Sequence, residues 1–335
     1  MRLARRMAGP DSLTAAVQAG LRGTGVASLS AGVQRLMDAY RSGAVPDSPV
    51  LASSREAAAY AAYRMPATVA ATAAAWAGLR LALPGWAPAS VLDFGAGTGG
   101  ASWAVAAGLG AVTLTLLEQS ADAIRLGQAI LAAAESASLR AATWRSWRLG
   151  AADSQDPVPG QADLAVSAYV LGELSPPQQE RLVGLAIQAA PVVLLVEPGT
   201  PAGHRRILAA RDRLLAAGYA IVAPCPHQLG CPLAVAGDWC HFAARVQRSA
   251  LHRQVKGADL AYEDEKFSYV AAAAPSAGRP DWPAARVVRR PQQRKNLVTL
   301  DLCGADGRST QLLVGKSKGE AYRRARKTAW GDRWE

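Results

Sequence analysis

The four cysteines of this 335-residue chain all lie in its C-terminal third. Cys225, Cys231 and Cys240 fall in one loop rich in proline, histidine and tryptophan, and Cys303 follows after 62 intervening residues. Cysteines that only fill a core would scatter through hydrophobic strands. A metal instead requires thiols that turns bring together, because deprotonated thiolate is a strong, soft ligand. The arrangement therefore predicts a metal site that uses all four thiols.

Two kinds of metal centre suit four thiolates about equally, a tetrahedral zinc ion and an iron–sulfur cluster. The paired Cys-x2-Cys spacing of structural zinc sites is absent, and spacings of five and eight residues favour the larger cluster only weakly. His227 and His241 stand close to the cysteines and could act as ligands, but a histidine in this position more often packs or donates a hydrogen bond. The missing Cys-x3-Cys-x2-Cys run argues against a radical enzyme.

A second chemical motif is the run Asp93-x-Gly95-x-Gly97-x-Gly99, which is predicted to follow a strand and to open a helix. Glycine tolerates positive φ and lets the backbone pass close to a ligand. The general dinucleotide fingerprint spaces its glycines differently, as G-x-G-x-x-G. The run therefore predicts a nucleotide-type cofactor site of another class.

The D-x-G-x-G-x-G form resembles motif I of class I methyltransferases. The resemblance implies that the cofactor is S-adenosylmethionine and that Asp93, Gly95 and Gly97 line its methionine and ribose end. Glu118 closes the next predicted strand, where an acid can accept both ribose hydroxyls. Asp153 is expected to contact the adenine amino group.

Methyl transfer usually requires a base or an amino-group clamp at the end of the fourth strand. The corresponding segment, residues 167–174, lacks the Asn/Asp-Pro-Pro-aromatic signature, and no cysteine stands where a cytosine-C5 nucleophile would be needed. Tyr169 and Glu173 are the candidates in this segment, although a packed tyrosine and a helix-capping glutamate are the more frequent outcome. The catalytic residues stay unknown at this point.

These residues must be positioned by three regions. Residues 1–88 are predicted to be helical, over Ser12–Arg22, Ser28–Tyr40 and Ser54–Leu83, with Pro66 bending or restarting the third helix. Over residues 89–223, short apolar runs alternate with amphipathic helices, which predicts a doubly wound α/β sheet. Its strands are expected at Val91–Phe94, Val112–Leu117, Leu164–Ala168, Val192–Val196 and Tyr219–Val222. Residues 224–335 form a separate C-terminal module in this prediction.

The C-terminal module combines the cysteines with a hairpin and with most of the positive charge. Val298–Leu302 and Thr310–Val314 are predicted to pair around the turn Asp306-Gly307. From Arg286 to Glu335 there are 13 Lys and Arg against five Asp and Glu, which gives +8 of the formal net charge of +11. A basic segment on a nearly neutral body predicts a polyanionic partner such as nucleic acid, with a solvated disordered tail as the alternative.

Neither a signal peptide nor a membrane-spanning run is recognisable in the sequence. We therefore expect a cytoplasmic protein that does not bind membranes, and disulfides are not expected because that compartment keeps thiols reduced. A monomer is the expected state.

Several motifs, in order from about residue 40 to the C-terminus, resemble the bacterial and mitochondrial ribosomal small-subunit methyltransferase-like proteins, the Rsm-type family. They are the glycine loop and Tyr40-Arg41, Ala59-Tyr60-x-x-Tyr63-Arg64-Met65-Pro66-Ala67-Thr68, Leu171-Gly172-Glu173-Leu174, Pro224-Cys225-Pro226-His227, Asp238-Trp239-Cys240-His241-Phe242, Glu263-Asp264-Glu265-Lys266-Phe267-Ser268-Tyr269 and Ala329-Trp330-Gly331-Asp332. The resemblance implies a class I, Rossmann-like S-adenosylmethionine-binding domain between an N-terminal helical region and a C-terminal four-cysteine, basic module.

The same resemblance implies a factor that acts on the small ribosomal subunit through 16S rRNA, either as an rRNA methyltransferase or as a non-catalytic assembly factor. It also implies a [4Fe-4S] cluster on Cys225, Cys231, Cys240 and Cys303, with structural zinc as the alternative. The basic segment would then face rRNA phosphates, and its binding should weaken steeply with salt. The residues expected to contact RNA are Arg289, Arg290, Arg294, Lys295, Lys316, Lys318, Arg323, Arg324, Arg326 and Lys327.

Overall fold

The computed structural model describes residues 10–42, 50–150, 157–257 and 259–335. The N-terminal region is helical, as predicted, with α1 (Pro10–Gly20), α2 (Val26–Ser42), α3 (Ser54–Tyr63) and α4 (Met65–Ala82). Pro66 lies in the first turn of α4, where its fixed φ suits a helix start and its missing N–H leaves no bond unmade. The long third helix expected from the sequence is therefore divided at Arg64. Among the described residues, no helix is both long enough and apolar enough to cross a membrane.

The larger sheet has the strand order β3-β2-β1-β4-β5-β8-β6, with β7 paired to β8. Its strands are β1 (Ser90–Phe94), β2 (Thr113–Glu118), β3 (Thr143–Ser146), β4 (Leu164–Ala168), β5 (Val192–Pro198), β6 (Ala220–Ala223), β7 (Phe242–Gln247) and β8 (Tyr262–Ala273). Strands β1 to β5 are parallel, and β8 runs antiparallel between β5 and β6. This is the arrangement of class I methyltransferases, which confirms the predicted Rossmann-like α/β fold.

Helices cover both faces of the larger sheet. The helices of the chain that follow α4 are α5 (Gly100–Ala106), α6 (Ala121–Ala132), α7 (Ala137–Arg140), α8 (Pro176–Ala189), α9 (Pro201–Ala216), α10 (Pro232–Val235), α11 (Ala250–Lys256) and α12 (Glu320–Ala325). Of these, α12 packs on the smaller sheet. Along β5, Val192 and Leu194 pack into the core with Trp76 of α4, whereas Val193 packs on the other face with Ile207 of α9. Because both faces are buried, the strands read as continuous apolar runs, which is why the sequence predicted them.

Strands β7 and β8 correct the predicted division of the chain. The sequence analysis placed residues 224–335 in a separate module, but β7 and β8 belong to the larger sheet. The first half of β8 is charged, and its Glu263 and Glu265 are partly buried and bonded to cations from other elements. This half therefore lacks the alternation of inward apolar and outward polar residues that marks a half-buried strand. For that reason the strand could not be recognised from the sequence.

The smaller sheet carries the last cysteine. It contains β9 (Ala285–Val287), β10 (Gln292–Arg294), β11 (Leu297–Gly304), β12 (Ser309–Gly315) and β13 (Arg333–Trp334). The pairing of β11 with β12 confirms the predicted hairpin, and Cys303 lies opposite Ser309 on one side and Arg286 on the other. Leu300, Val298 and Val314 form a small core of this sheet together with Ala325 of α12.

Candidate functional site

The glycine loop leaves β1 at Phe94 and enters α5 at Gly100. Gly95, Gly97 and Gly99 have φ values of 70°, 56° and 91°, a region that side chains other than glycine rarely adopt. A Cβ atom at Gly95 would lie 2.6 Å from Cγ2 of Val170, so this glycine is also required by close packing. The amides of Gly95 and Ala96 both donate to the carbonyl of Leu117, which fixes the loop at the end of β2.

Glu118 meets this loop at the end of β2, as the sequence predicted. One carboxylate oxygen accepts a 2.8 Å hydrogen bond from the amide of Gly97, and the other accepts one of the same length from the amide of Ser120. Each oxygen keeps a second lone pair, because a carboxylate offers about four acceptor positions. The arrangement therefore orients a buried acid beside the loop, and its contact with ribose hydroxyls stays a prediction.

Asp93 is almost fully buried at the end of β1. Its Oδ2 accepts hydrogen bonds from the amide and the hydroxyl of Ser102 at 3.0 and 2.7 Å, which holds the start of α5. Its Oδ1 is buried and has no hydrogen-bond partner among the described residues. Burial raises the pKa of this carboxyl to about 7. An acceptor left unpaired in this position fits an ammonium group such as that of S-adenosylmethionine.

The N-terminal helices lie over the same loop. The side chains of Leu51 and Tyr60 would be in ordinary contact with a Cβ atom at Gly97, at 3.6 and 3.7 Å. The hydroxyl of Ser120 donates to the carbonyl of Leu51, and the hydroxyls of Tyr60 and Thr68 are 3.1 Å apart. The helical region is therefore part of the candidate cofactor site. Asp153, predicted to contact adenine, lies outside the described residues.

Tyr169 follows β4 directly, and its backbone has a φ of 64°. Its hydroxyl donates a 2.8 Å hydrogen bond to Oε1 of Glu265 on β8. The guanidinium of Arg64 binds both oxygens of the same carboxylate, at 3.0 and 3.3 Å, and lies 5.3 Å from the centre of the Tyr169 ring. Burial and the charge of Glu265 raise the pKa of Tyr169 well above its ordinary value. Tyr169 is thus held as a hydrogen-bond donor and is unsuited to act as a base.

Glu173 ends the short 3-10 turn Leu171–Glu173 beyond β4. This turn is held by the buried Glu197 of β5, which accepts from the amide of Leu171 at 3.0 Å and from Nε of Arg206 at 2.7 Å. Burial, and the nearby charges of Glu118 and Glu197, raise the pKa of Glu173 to about 8. Its carboxyl is therefore close to a proton-exchange equilibrium at neutral pH.

Arg64, Glu265 and Glu197 were not among the sequence candidates. Arg64 and Glu265 are 201 residues apart, so their pairing has no local signal. Both do stand inside the motifs that carry the family resemblance, which was the one signal available for them. Glu197 could have been noticed as an acid at the end of a predicted parallel strand, the edge of the sheet where such folds bind ligands.

All four cysteines line one cavity of about 30 Å³ between the larger and the smaller sheet. Cys225 follows β6, Cys231 caps α10, Cys240 precedes β7 and Cys303 lies on β11. The structure thus brings together the four thiols that the sequence selected. Within the described ranges, no group of three or more His, Cys, Asp or Glu side chains is arranged to hold a metal ion.

The histidines near the cysteines differ in their contacts. Nε2 of His227 is 3.3 Å from the sulfur of Cys303. His204 on α9, which the sequence analysis did not single out, has its Nε2 4.0 Å from the sulfur of Cys231. His241 stacks on Trp239 with ring centres 5.3 Å apart. His241 therefore packs, while His227 and His204 face thiols.

Two buried arginines, Arg211 and Arg286, line the same cavity and are each only 3% exposed. Arg286 donates to the carbonyls of Pro224 and Gly331 at 2.9 and 3.0 Å. Arg211 donates to the carbonyl of Leu229 and, at 3.5 Å, to the carboxylate of Asp212, which is itself exposed; its Nε is buried without a hydrogen-bond partner among the described residues. Buried cations require a compensating anion. The donor set therefore fits a negatively charged group, which four thiolates around a metal would be.

Burial raises the pKa of the thiols of Cys225, Cys240 and Cys303, the last to about 12. Without a metal these thiols are protonated at neutral pH. Metal binding must therefore release protons, as it does wherever thiols become ligands.

The ten basic residues predicted to contact RNA fall into two groups. Arg289 is ion-paired with Asp238, and Arg324 lies over the ring of Trp334 and donates to the carbonyl of Glu335, so both are engaged within the protein. The other eight are exposed, namely Arg290, Arg294, Lys295, Lys316, Lys318, Arg323, Arg326 and Lys327. They lie on a folded module, so a disordered tail is not what carries this charge.

With this geometry established, the chain can be compared with known proteins. The family model described as mitochondrial small ribosomal subunit Rsm22 matches residues 54–335. A human protein named ribosome assembly protein METTL17, mitochondrial, is 29% identical over 308 residues, which cover 82% of this chain and 61% of that protein. The Rsm22-cox11 tandem protein 2, mitochondrial, of Schizosaccharomyces pombe is 27% identical over 182 residues, covering 42% of this chain and 24% of its own. The chain spans less than two thirds of these relatives.

Solved methyltransferase structures match this chain at low identity and with TM-scores below 0.5. Magnesium protoporphyrin IX methyltransferase (ChlM) from Synechocystis PCC 6803, with bound SAM, is 15% identical, with a TM-score of 0.39, covering 79% of this chain and 97% of that chain. A DhpI complex with SAH is 17% identical, with a TM-score of 0.40, covering 72% and 97%. At TM-scores below 0.5 these matches do not identify the fold. The strand order of the larger sheet identifies it.

Proposed function

The chain belongs to the mitochondrial small ribosomal subunit Rsm22 family, and from this membership we propose that it is an S-adenosylmethionine-binding assembly factor of the small ribosomal subunit. One observation favours an assembly factor over an enzyme, namely the hydrogen bond that the hydroxyl of Tyr169 makes within the protein. The hydroxyl of this residue, at the place where an acceptor clamp is expected, is bonded to Glu265 within the protein. A hydroxyl used in this way stabilises the fold beside the proposed cofactor site and has no proton left to donate to a substrate.

The residues around the glycine loop would hold the cofactor in the following way. The unpaired Oδ1 of Asp93 would accept from the ammonium group, and the remaining lone pairs of Glu118 would accept from ribose hydroxyls. The glycine loop would let the backbone approach the ligand. When bound, S-adenosylmethionine supplies a methyl group on a sulfonium centre. In an assembly factor, the bound cofactor would stabilise the packing of Leu51 and Tyr60 over the glycine loop.

We also propose that the four cysteines hold a [4Fe-4S] cluster, with zinc as the alternative. The support is the donor set, since four thiols share one cavity with two buried arginines that need an anion. Cys225, Cys231 and Cys240 belong to segments next to the larger sheet, while Cys303 lies on the smaller one. The centre would therefore fasten the basic module to the body of the protein.

The partner we propose is 16S rRNA in the small subunit, contacted by the exposed cations of the basic module. Its support is the excess of positive charge on a folded surface. A cytoplasmic location and a monomeric state stay predictions.

A second candidate function, rRNA methyltransferase, is favoured by one observation. The carboxyl of Glu173 lies beyond the end of β4, and burial raises its pKa to about 8. A group with this pKa can accept or donate a proton near neutral pH, as a general base must. Glu173 has this property and Tyr169 does not, so Glu173 is the residue on which an enzymatic role depends.

One experiment separates the two functions. The gene is deleted in the organism that encodes it and complemented with the unchanged chain or with Tyr169→Phe, Glu173→Gln or Cys303→Ser. Ribosomal subunits are then separated on gradients, and methylation of 16S rRNA is mapped by mass spectrometry. The assembly-factor proposal expects loss of mature small subunits, an unchanged methylation map, and rescue by Tyr169→Phe and Glu173→Gln but not by Cys303→Ser.

Two other results would count against an assembly factor. A methylated nucleotide that disappears on deletion and is not restored by Glu173→Gln would establish the methyltransferase. Normal small subunits after deletion would overturn the assembly-factor proposal.

A further inference from the structure

We propose that the smaller sheet binds the sugar–phosphate backbone of double-helical RNA and does not bind unstacked single-stranded bases. The inference rests on the proposed function, in which the partner is rRNA, and it names the form of RNA that this surface takes. It is carried by the arrangement of the exposed cations and by the state of the aromatic side chains around them.

The exposed cations come from separate segments that the fold joins into one surface. They stand in the turn between β10 and β11, in the short turn after β12, and in α12 with the residues that follow it. The amide of Lys316 donates to the carbonyl of Asn296, and the side chain of Gln293 donates to the carbonyl of Arg326, which ties the three segments together. We call this surface the cationic face, and it consists of Arg294, Lys295, Lys316, Lys318, Arg323, Arg326 and Lys327.

The positive charge of the cationic face is not used within the protein. None of its seven side chains forms an ion pair with a carboxylate of any residue that the structure describes. Three other arginines of the module are paired with carboxylates: Arg289 with Asp238, Arg333 with Asp281, and Arg308 with Asp306. Seven uncompensated charges on one rigid surface are an electrostatic footprint for phosphates.

The cationic face is preformed. Asn296 has a φ of 60°, which closes the tight turn that carries Arg294 and Lys295. Ala325 of α12 is fully buried against the small core, so the helix that carries Arg323 is fixed on the sheet. A rigid array of charges matches the regular phosphate spacing of a helix better than the variable path of a single strand, since fixed positions lose little entropy on binding.

Aromatic side chains that could stack on bases are not available in the module. Trp334 is 9% exposed, and Arg324 lies 4.2 Å from the centre of its ring. Trp330 packs edge-on against His241, and Tyr322 packs on the small core. Proteins that bind single strands use exposed aromatic rings as stacking platforms. Trp282 is 37% exposed, but it precedes β9 and its N–H is bonded to the carbonyl of Ile221, away from the cationic segments.

Double-helical RNA is recognised instead through its shape, its phosphates and its 2′-hydroxyls. The seven charges of the cationic face offer contacts to the phosphates. Ser317, exposed between Lys316 and Lys318, and the exposed Gln292 of β10 offer uncharged hydrogen-bonding groups for hydroxyls. The charges and hydroxyl partners on this surface therefore match the backbone of a duplex.

The test uses the full chain and fluorescence anisotropy with two labelled probes. One probe is an RNA duplex of about 20 base pairs, long enough to span a double-stranded RNA site, and the other is one of its strands chosen to lack secondary structure. Salt is varied between roughly 50 and 200 mM. We expect the duplex to bind at least about tenfold more tightly than the single strand.

Charge-removing variants then locate the binding surface. Arg294→Gln with Lys295→Gln, and separately Lys316→Gln with Lys318→Gln, should each weaken duplex binding and reduce the salt slope by about 1 to 2. Arg308→Gln is the matched control, because it is a highly exposed arginine in the β11–β12 turn, beside Cys303 and away from the cationic face. It should bind as the unchanged chain does. Lys316→Arg with Lys318→Arg keeps both charges and should bind as the unchanged chain does. This variant separates the loss of charge from any damage that substitution at these two positions does to the fold.

The outcomes separate this inference from the proposed function when co-sedimentation with small ribosomal subunits is measured in parallel. Equal or tighter binding of the single strand, with subunit association intact, overturns the duplex inference alone. Equal effects of the cationic-face variants and Arg308→Gln overturn it as well, because the surface is then wrong. Failure of the unchanged chain to associate with subunits overturns the proposed function. A duplex preference lost only in the cationic-face variants supports the inference.

Discussion

The hydroxyl of Tyr169 and the carboxylate of Glu265 are joined by a 2.8 Å hydrogen bond across 96 residues of sequence. Arg64 binds the same carboxylate from the junction of α3 and α4, so three distant segments meet at one acid. A non-glycine residue with positive φ is strained, and such strain persists only where the surroundings impose it. The bond to Glu265, together with the bond from the Tyr169 amide to the carbonyl of Val196, holds Tyr169 in place.

Tyr169→Phe should lower the free energy of unfolding by about 1.5–3 kcal/mol, the range for a hydrogen bond to a charged group. The ring and the backbone are kept, so the loss reports the hydroxyl alone. Urea denaturation measures it, with Tyr262→Phe as the control because Tyr262 is exposed on β8, the strand that carries Glu265. An equal effect of the two substitutions would show that the bond to Glu265 contributes nothing to stability.

Arg64 and Glu265 should be energetically coupled by about 1–3 kcal/mol in a double-mutant cycle. Their side chains are 16% and 14% exposed and make two hydrogen bonds, so solvent screens them little. Arg64→Met, Glu265→Gln and the double variant are compared by urea denaturation. The control cycle uses Arg245 and Asp264, an exposed pair on β7 and β8, for which less than about 1 kcal/mol is expected. Additive effects at Arg64 and Glu265 would contradict the prediction.

Most of the parallel part of the fold could be predicted because its signals are local, whereas β3, whose residues are mostly exposed, was not predicted. The glycine loop and the completely buried run of β4 are read within a few residues, and both were placed correctly. Strand β8 was missed because its inward acids look like surface residues until their partners are known. Glu263 is neutralised by Arg248 and Lys256, which lie on other elements. Ion pairs between separate segments of the chain do not produce a periodic pattern of apolar residues in the sequence.

The candidate sites divide in the same way. The cysteines were identified because their spacing and their proline-rich loop are unusual in themselves. Arg211 and Arg286 were not connected with them, because an arginine in a helix or strand normally reads as an exposed cation. Their burial follows from the cavity that the cysteines line, and that cavity exists only after the smaller sheet has docked. Glu265 was missed for the same reason, since its role depends on Arg64.

Asp93 should make the stability of the cofactor-free protein depend on pH. The folded carboxyl keeps its proton up to a pH of about 7, while the ordinary value is 3.8. Its stabilising contribution is therefore complete below about pH 4 and is lost as the pH rises towards 7. Asp93→Asn should gain stability relative to the unchanged chain over this window, by at most about 4 kcal/mol.

Urea denaturation at about pH 5 and about pH 8 measures the difference. Asp122→Asn, at a partly exposed position on α6, serves as the control and should show no such trend. A stability difference between Asp93→Asn and the unchanged chain that is the same at both pH values would mean that Asp93 titrates normally.

Glu118→Gln should weaken S-adenosylmethionine binding by roughly tenfold to a hundredfold, because the carboxylate proposed to accept from two ribose hydroxyls is replaced by a single acceptor oxygen. Isothermal titration calorimetry measures the affinity. Asp122→Asn, two residues beyond Ser120 on α6, is the control and should bind normally. Unfolding is measured beside it, since glutamine also loses one of the two backbone bonds of Glu118. Unchanged affinity would remove Glu118 from the cofactor site.

Arg211→Met should reduce the metal content of the anaerobically purified protein, while Arg213→Met should not. Both residues lie on α9, but Arg211 is buried in the cysteine cavity and Arg213 is exposed. If four thiolates around a metal form the anion that balances Arg211, removing that charge leaves an excess of negative charge in a buried site, which destabilises the bound form.

Iron, zinc and acid-labile sulfide per chain measure the outcome, together with the visible absorbance that an iron–sulfur cluster has and zinc lacks. Cys303→Ser should lose the metal altogether, whichever metal it is. Iron with sulfide in the unchanged chain supports the cluster, and zinc without visible absorbance supports the alternative. Equal metal content in Arg211→Met and Arg213→Met would show that the buried arginine does not balance the charge of a metal centre.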